Sequence, residues 1–569
     1  MELASVRELL VGLYGHGAGV STLERLTQLL KDFSVRDSTT RPGGVDQRDS
    51  ILIAYPDQVQ QEDRPSLAVL ADFCRAHVRD AITGVHILPF YPWTSDDGFS
   101  VVSYRQVDTR YGDWQDIHRL GRDFKLMFDA VINHVSVQSA WFRSMLAGEK
   151  EYRQYFILPG PDDDLSQVVR PRALPLLTEF ETTEGIRHVW TTFSADQVDL
   201  NYANPDVLLE ILGVLLFYIS QGADFIRLDA IAYLWKQPGT SCISLPQTHA
   251  IIQLFRSVLD QVAPHVMLIT ETNVPHAENI SYFGDGQNEA DMVYNFSLPP
   301  LVVHAFHTGS AETLSAWANS LELPAGATFF NFLASHDGIG LNPLRGILPE
   351  EEITAIVKRI QSHGGLVSFK NQPDGTQLPY ELNINYFDAL NDPYGAEPVE
   401  TQLDRFVTAH AILLAMRGVP AIYFHSLVGS RSWREGAQAS GHNRTINRRK
   451  FRYDELEDQL SDADSLPARV FQRLTHLLKI RREHSAFHPY GTQQTFFTSP
   501  GVFGLLRTSP NGDEKILCLH NVSNREEPLE NFDSFRTWTY DLLENRNMNP
   551  DIPISLKPYQ TLWLVGPKD

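Results

Sequence analysis

The sequence predicts an α/β fold: a (β/α)8 TIM barrel with inserted loop domains and a small C-terminal β domain. Eight short apolar runs alternate with helical patterns, and they lie at 51–55, 84–89, 125–132, 224–228, 266–270, 291–294, 328–333 and 419–424. Most of these runs are continuously apolar rather than alternating, as in strands that are buried on both faces of a parallel sheet. Eight such strand–helix units are typical of a TIM barrel.

The elements before and within the barrel follow from local patterns. Residues 1–49 carry leucines at helical spacing from Leu9 to Leu30, which predicts an N-terminal helical extension. The barrel is predicted to comprise 50–134, 197–342 and 401–489. Its clearest helix has Asn204 as the N-cap, a proline at the first helical position and an apolar body that ends at 219.

Two gaps between predicted strands are too long for plain connections. Residues 135–196 are rich in Pro, Asp and Thr and are predicted to form an inserted domain B. Residues 343–400 are predicted to form a second inserted loop domain, B′. Long loops after barrel strands usually build the roof of an active site. From residue 490 to 569 the pattern changes to short β-like runs, which predicts the C-terminal β domain.

The composition is that of a globular protein with an acidic surface. The 569 residues include 48 basic and 70 acidic side chains, which give a formal net charge of −22. Such a charge argues against binding to nucleic acid or to anionic membranes, and an anionic substrate would need locally placed arginines. The longest apolar stretch, 207–219, contains Glu210 and is too short to span a bilayer.

Cysteine usage and the N-terminus predict a cytoplasmic protein. Cys74, Cys242 and Cys518 lie far apart and form no C-x-x-C pair, so the sequence contains neither a disulfide framework nor a zinc motif. The N-terminus has no basic segment followed by an apolar one, and therefore no secretory signal. The sequence also lacks a Gly-rich nucleotide loop, and we predict no cofactor.

Acidic residues at the ends of predicted strands are candidates for catalysis. The fourth run leads to Asp229, the fifth to Glu271 and the seventh to Asp337. The C-terminal ends of barrel strands meet at one mouth, so these carboxylates would converge. Two close carboxylates suit glycosyl transfer, because one attacks the anomeric carbon while the other protonates the leaving oxygen. Arg227 points to the same face as Asp229 and would hold that carboxylate ionised.

Each of these residues also has a purely structural interpretation. A lone aspartate at a strand end, such as Asp229, is often a helix N-cap or a turn former. The segment Ser335-His336-Asp337-Gly338 also suits a tight turn, and Asn133-His134 suits a buried hydrogen-bonded pair. Their common order and barrel spacing favour the catalytic interpretation.

Several segments resemble a known family, the α-amylase superfamily of retaining glycosidases and transglycosidases (glycoside hydrolase family 13). They are Asp129-Ala-Val-Ile-Asn-His134, Gln197-Val-Asp-Leu-Asn201, Ile226-Arg-Leu-Asp229, Thr270-Glu271 and Ser335-His-Asp337. Further motifs resemble the sucrose phosphorylase subgroup, among them His86-Ile-Leu-Pro-Phe90, Arg170-Pro-Arg-Ala-Leu-Pro175 and Asn443-Arg-Thr-Ile-Asn-Arg448. Within that subgroup the N-terminal extension, Tyr91-Pro-Trp-Thr-Ser-Asp-Asp-Gly-Phe99 and Thr270-Glu-Thr-Asn-Val-Pro275 look most like glucosylglycerate phosphorylases.

This resemblance implies an activity and a mechanism. Enzymes of this kind cleave 2-O-α-glucosylglycerate with inorganic phosphate and release α-glucose 1-phosphate and glycerate with retention. Asp229 would be the nucleophile that forms a β-glucosyl ester, and Glu271 the general acid and base. Asp337 would stabilise the transition state. The implied partners are a small α-glucoside and inorganic phosphate, and dimers are frequent in the subgroup, so a homodimer is implied by analogy alone.

The resemblance also implies which residues bind the substrates. The glucose-binding residues would be Asp96, Phe99, His134, Phe193, Gln197, Arg227, Tyr233, His336 and Arg444. Arg172 matches the phosphate-binding arginine, and Tyr380 matches a loop tyrosine that assists it. Outside the family pattern, Arg172 is a surface arginine in a Pro-rich loop. Some relatives bind calcium near the inserted domain, and Asn133 and the loop aspartates Asp162 to Asp164 are the residues here that could suggest it. The subgroup generally does without calcium, and we predict no metal.

At two places the sequence differs from sucrose phosphorylases, and these differences indicate which molecule serves as the glucosyl acceptor. Asn273 stands where sucrose phosphorylases commonly have a histidine, and with Thr272 it is the candidate for acceptor contacts. The segment before Tyr380 lacks an aspartate that those enzymes use near fructose, which fits a carboxylate acceptor. Phosphorolysis of sucrose, sucrose 6-phosphate or glucosylglycerol stays an alternative, as does an α-glucoside hydrolase or transglucosidase. A non-catalytic amylase-like module is disfavoured by the intact carboxylate set.

Overall fold

In the computed structural model, eight parallel strands close into a barrel in the order in which they occur along the chain. The structure describes residues 3–33, 44–172, 174–371, 376–530, 532–549 and 553–566. The barrel strands are β1 Ile51–Ala54, β2 Gly84–Ile87, β3 Lys125–Ala130, β4 Ala223–Leu228, β5 Met267–Thr270, β6 Met292–Tyr294, β7 Thr328–Phe332 and β8 Val419–Tyr423. Strand β8 pairs with β1 and closes the ring. The predicted barrel is confirmed, and each predicted run overlaps one of its strands.

Burial explains why these strands read as continuous apolar runs. Every residue of β1, β2 and β7 is buried, since one face of each strand lies inside the barrel and the other lies under the surrounding helices. The longer helices between and after the strands are Ser66–His77, Trp114–Gly121, Pro205–Ser220, Pro246–Val262, Leu298–Thr308, Glu312–Asn319, Val399–Ala415 and Leu466–Glu483. The shorter ones are His276–Ile280, Phe424–Leu427, Arg434–Ser440 and Tyr453–Ser461.

The helix Pro205–Ser220 shows how local chemistry fixes these boundaries. The Asn204 side chain accepts a hydrogen bond from the backbone N–H of Asp206 at 3.0 Å and so caps the first turn. Gly222 follows the helix with φ of +97°, a conformation that favours glycine. This helix therefore begins and ends where the sequence pattern predicts.

The N-terminal extension contains one helix, α1, over Ala4–Asp32. Gly15 interrupts its helical dihedral angles with φ of 77°. The helix packs against Pro205–Ser220 and Pro246–Val262, and the Tyr14 hydroxyl donates a hydrogen bond to the Tyr202 carbonyl at 3.0 Å. The prediction of helix over 1–49 is too long, because 44–50 are not helical; 34–43 lie outside the described residues.

The segment predicted as domain B, 135–196, leaves the barrel after β3. A short strand pair, His134–Ser136 with Gln197–Asp199, joins the two ends of the segment. Between them lie the helix Ala140–Leu146 and a hairpin of Leu177–Thr182 and Gly185–Trp190. Because the strand pair begins at the end of β3, it anchors this insertion directly above the barrel mouth.

The segment predicted as domain B′, 343–400, follows β7. It contains the helices Glu350–Ser362 and Tyr386–Leu390. It also contains the antiparallel strands Leu366–Asn371 and Gln377–Asn383, to which Ile339–Gly340 adds a third strand. The pairing register shifts between Ser368 and Phe369, so that Tyr380 is the extra residue of a β-bulge. Bulges re-aim a side chain, and this one turns Tyr380 towards the barrel mouth.

The C-terminal segment after residue 490 forms antiparallel sheet. Its six-stranded sheet has the spatial order Thr492–Thr495, Val502–Thr508, Lys515–Asn521, Thr561–Val565, Tyr540–Asp541 and Arg546–Asn547. The fully buried Arg507 joins this sheet to the barrel by donating to the Ala415 carbonyl at 2.7 Å. Across the part of the chain that the structure describes, no helix combines the length and the apolar character that a membrane crossing needs.

Candidate active site

One cavity opens at the C-terminal ends of the barrel strands. All the residues that the sequence predicts for the site line this cavity except Arg227: Asp96, Phe99, His134, Arg172, Phe193, Gln197, Asp229, Tyr233, Glu271, Asn273, His336, Asp337, Tyr380 and Arg444. The lining also includes Thr272, an acceptor candidate in the sequence, and four residues that it did not single out, Pro171, Ala230, Ala232 and Val274. Strand ends and both insertions therefore contribute to one pocket.

Strand register brings Asp229 and Glu271 side by side. Leu228 at the end of β4 pairs with Thr270 at the end of β5, so the next residue of each strand lies at the same level. The backbone N–H of Ala230 donates to Glu271 Oε2 at 3.0 Å. Ala230 adopts the left-handed conformation with φ of 49°, which costs a non-glycine residue about 1–2 kcal/mol. The turn that carries this strain also fixes the Glu271 carboxylate.

Arg227 lies beneath the cavity floor rather than in its lining. Its guanidinium is 1% exposed and donates to Asp229 Oδ1 at 2.8 Å and to Asp129 Oδ1 at 2.5 Å. A second nitrogen lies 3.9 Å from Glu271 Oε2. His86 contacts the other oxygen of Asp129 at 2.8 Å. Arg227 is thus placed to hold the carboxylates in position, whereas the resemblance implied a contact with glucose.

Burial sets the protonation of the Asp229–Glu271 pair. It raises the pKa of Asp229, and the neighbouring Glu271 charge adds to the rise, while the Arg227 guanidinium opposes it. Burial also raises the pKa of Glu271. Two adjacent carboxyl groups of this kind hold one proton between them near neutral pH. The Arg227 guanidinium favours the charge on Asp229, which it contacts more closely, whereas the hydrogen bond from the Ala230 N–H favours the charge on Glu271.

Asp337 has the opposite electrostatic environment. Burial would raise the pKa of its carboxyl group, but Arg444, His336 and Arg448 overcome this and hold the pKa well below its usual value. Arg444 Nη1 lies 2.5 Å from Asp337 Oδ1. The same guanidinium makes a bidentate contact with the buried Glu381, at 3.0 and 2.9 Å. Asp337 is therefore a fixed negative charge beside the Asp229–Glu271 pair.

Aromatic rings and neutral hydrogen-bonding groups form one wall of the cavity. The ring of Phe99 stacks on His336 with centroids 4.7 Å apart and planes 2° from parallel. His134 Nε2 lies 2.9 Å from the Phe99 carbonyl oxygen, and Gln197 donates to the same oxygen at 3.0 Å. Phe193 meets Tyr233 edge to face at 5.4 Å. Such a surface suits a flattened, positively charged sugar ring, because the π faces attract cations without acting as nucleophiles.

Arg172 contacts Asp96 in this structure. Its Nη2 lies 2.7 Å from Asp96 Oδ2, and its guanidinium also lies 5.8 Å from the centre of the Phe193 ring. Burial opposes ionisation of Asp96, but Arg172 and then Arg444 hold its pKa far below the usual value. The resemblance implied that Asp96 and Arg444 both bind glucose. Within the protein, the closest charged partner of Asp96 is Arg172, and those of Arg444 are Asp337 and Glu381.

Asn273 and Tyr380 form the opposite side of the cavity, which we call the acceptor wall. The Asn273 side-chain N–H donates to the Tyr380 hydroxyl at 3.4 Å. A Cβ at Gly340 would lie 2.8 Å from Asn273 Nδ2, so any larger residue there would displace the Asn273 amide. Asn273 Oδ1 is buried and has no hydrogen-bond partner in the protein. The acceptor wall therefore offers polar groups that the fold itself does not use.

A buried lysine contacts Asn133, one of the residues considered above for calcium. The buried Lys236 ammonium lies 2.7 Å from Asn133 Oδ1 and 2.7 Å from Asp199 Oδ2. Asp199 also accepts hydrogen bonds from Thr192. Over the described ranges there is no group of three or more His, Cys, Asp or Glu side chains that could hold a metal ion. These oxygen atoms are therefore already bound to a cation of the protein.

The barrel, its strand-end carboxylates and the sequence define one class of protein. Residues 81–338 match the family model described as the α-amylase catalytic domain. The chain belongs to the α-amylase family, glycoside hydrolase family 13.

Individual relatives narrow the comparison. The chain is 47% identical to the glucosylglycerate phosphorylase of Spirochaeta thermophila over 583 aligned positions that cover 99% of each chain. It is 44% identical to the glucosylglycerate phosphorylase of Escherichia coli, over 98% of this chain and 99% of that protein. The solved sucrose 6F-phosphate phosphorylase from Thermoanaerobacter thermosaccharolyticum superposes with a TM-score of 0.72 at 25% identity, covering 84% of this chain and 94% of that one.

Proposed function

We propose that this protein is a retaining phosphorylase that converts 2-O-α-glucosylglycerate and inorganic phosphate into α-glucose 1-phosphate and glycerate. The observation that carries this proposal is the full-length similarity to glucosylglycerate phosphorylases at almost half of all positions. The chemistry of the cavity supports it independently, since it combines a close carboxylate pair, a third fixed carboxylate and an arginine.

In the first half of the reaction the glucosyl group passes to the enzyme. The Asp229 carboxylate attacks the anomeric carbon, and the bond to the glycerate oxygen breaks as Glu271 transfers its proton to that oxygen. Glycerate leaves, and a β-glucosyl ester stays on Asp229. One guanidinium within 2.8 Å of Asp229 and 3.9 Å of Glu271 supports a close pair, as retention requires, rather than a pair separated by a water.

In the second half phosphate takes the glucosyl group. A phosphate oxygen attacks the anomeric carbon, the ester bond to Asp229 breaks, and the Glu271 carboxylate accepts the proton of the attacking phosphate. Inversion at each step gives α-glucose 1-phosphate with net retention. Asp337 stabilises the positive charge that develops on the sugar ring in both steps, and the Phe99 and His336 rings flank it.

An anion must enter a cavity that contains three carboxylates, so a local cation is needed. Arg172 is the arginine of the cavity lining that makes no contact with Asp337 or Glu381, and it lies at the pocket rim with a side chain 30% exposed. Its present partner, Asp96, is a residue that we assign to the glucose hydroxyls. The hydroxyl groups of a bound glucosyl unit would compete with Arg172 for Asp96. Part of the Arg172 guanidinium would then be free to bind phosphate.

A panel of donors tests the proposal. Glucosylglycerate, sucrose, sucrose 6-phosphate and glucosylglycerol are incubated with the protein, each with and without phosphate, and glucose 1-phosphate and glucose are measured. We expect phosphate-dependent glucose 1-phosphate from glucosylglycerate. Product mainly from another donor would overturn the acceptor assignment, and phosphate-independent glucose would overturn the phosphorylase assignment. The cytoplasmic location and the homodimer stay predictions from the sequence.

A further inference from the structure

Two cationic side chains lie behind the acceptor wall. The Lys370 ammonium donates to Asn342 Oδ1 at 2.9 Å, and no carboxylate of the described residues forms an ion pair with it. Arg345 lies close enough that its charge, after burial, helps to lower the pKa of Lys370. Arg345 pairs with Glu350 at 2.6 Å, yet its Nε is buried without a hydrogen-bond partner. Of these two neighbouring cations, Arg345 therefore has a carboxylate partner, and Lys370 has none among the described residues.

A chain of hydrogen bonds connects Lys370 to the cavity. Asn342, which accepts from Lys370, donates through Nδ2 to the Asn273 carbonyl at 3.2 Å. Asn273 then donates to the Tyr380 hydroxyl at 3.4 Å, and both side chains line the cavity. Asn342 is only 8% exposed, so water screens little of the Lys370 charge along this path.

The direction of the Lys370 side chain is set by the strand on which it lies. In Leu366–Asn371, side chains two residues apart share a face, so Lys370 points to the same side as Ser368. The Ser368 hydroxyl accepts hydrogen bonds from Asn383 and Asn443, at 3.0 and 3.2 Å. Since Asn383 is fully buried, this face packs against other parts of the protein. Lys370 is therefore half-buried against the protein and is not an ordinary solvated surface lysine.

Two neighbouring cations, of which only Arg345 has a carboxylate partner, repel each other in a partly buried setting, and a nearby anion would relieve that repulsion. We propose that Lys370, supported by Arg345, makes the acceptor site selective for a small hydroxy acid over a neutral polyol. Lys370 is a positioning residue: it orients Asn273 through Asn342 and adds a positive potential at the acceptor wall. This inference rests on the proposed function, and it names the residue that discriminates between its acceptors.

The test runs the reaction in the synthetic direction, with glucose 1-phosphate as donor and glycerate or glycerol as acceptor. Lys370→Met removes the charge, Lys370→Arg keeps it, and Lys358→Met removes an exposed lysine from the same insertion as a matched control. We expect Lys370→Met to lower the kcat/KM ratio of glycerate to glycerol about tenfold, with the glycerol value nearly unchanged. Lys370→Arg should retain most of the ratio, and Lys358→Met all of it.

Other outcomes overturn the inference. An unchanged ratio in Lys370→Met would refute a role in acceptor selection, and an equal loss for both acceptors would assign Lys370 a structural role. A raised KM for phosphate in phosphorolysis, with the acceptor ratio unchanged, would mean that the cations attract phosphate instead. If the wild-type protein does not glucosylate glycerate at all, the proposed function fails. If it does and Lys370→Met keeps the ratio, only the present inference fails.

Discussion

The two sides of the cavity are built on different principles. On the glucose side, Asp229, Asp337 and Asp96 each contact an arginine at 2.5–2.8 Å, and the first two follow barrel strands. On the acceptor side, Tyr380 and Lys370 lie in the inserted segment 343–400, whereas Asn273 follows strand β5. The Lys370 ammonium has no carboxylate partner among the described residues, and the Asn273 amide oxygen has no hydrogen-bond partner in the protein. The fold thus provides close partners for the carboxylates to which we assign the chemistry, and it leaves without such partners the groups to which we assign acceptor selection.

This contrast predicts the largest effect at Asp229. Asp229→Asn removes the nucleophile while keeping the shape, and we expect phosphorolysis to fall by about 10⁴-fold or more. Asp458→Asn makes the same change at an exposed site and should leave the rate unaffected. Glucose 1-phosphate release is the measurement. Appreciable phosphorolysis by the first variant would contradict the nucleophile assignment.

The second test breaks the charge pairing of the glucose side. Arg227→Met removes the cation that opposes the raised pKa of Asp229, so that pKa should rise further. The nucleophile acts only when ionised, and kcat/KM falls as the pH falls through its pKa. The acidic limb of the pH profile should therefore move to higher pH by about 1–3 units. Arg227→Lys should move it less, and an unmoved limb would refute the electrostatic role.

The third test removes Arg172, the arginine that contacts Asp96 on the glucose side. Arg172→Ala should raise the KM for phosphate about 10–100-fold, since an arginine–phosphate contact is charge-assisted. Slow hydrolysis of the donor, which needs no phosphate, should change only a few-fold. Arg170→Ala removes the neighbouring exposed arginine and serves as the control. Equal losses in phosphorolysis and hydrolysis would rule out a phosphate role.

The smallest of these effects is expected at Glu381, which contacts no reacting group directly in the proposed mechanism. Glu381→Gln weakens the bidentate contact that orients Arg444, and through Arg444 the position of Asp337. We expect kcat to fall about tenfold with little change in KM. A change confined to KM would mean that Glu381 contacts substrate instead.

Sequence reasoning predicted the barrel because its strands are buried on both faces and therefore carry a local signal. It also predicted which residues line the cavity, since strand ends and motifs fix their positions. It did not predict the partners of these residues. The contact of Arg172 with Asp96 and that of Arg444 with Glu381 join segments far apart in the chain, and nothing in either segment encodes them.

The bulge at Tyr380 illustrates the same limit. The alternation of the strand Gln377–Asn383 contains no signal for an extra residue, and the bulge becomes visible only when the partner strand is in place. For Arg227, strand alternation predicted that its side chain lies close to Asp229. Its location beneath the cavity could not be predicted in this way, because it depends on the contact with the Asp129 carboxylate of β3. Local periodicity determines on which face of a strand a side chain lies. Tertiary packing determines which residues that side chain contacts.

The packing of helix α1 has a consequence for the local stability of the barrel. It packs across Pro205–Ser220, which leads into β4, and across Pro246–Val262, which leads into β5, and these strands carry Asp229 and Glu271. Proteins open locally in contiguous cooperative units, and an element that spans two neighbouring units makes them open together. Helix α1 therefore links β4 and β5 through contacts outside the barrel. We expect the backbone amide hydrogens of these two strands to exchange with solvent slowly and at similar rates.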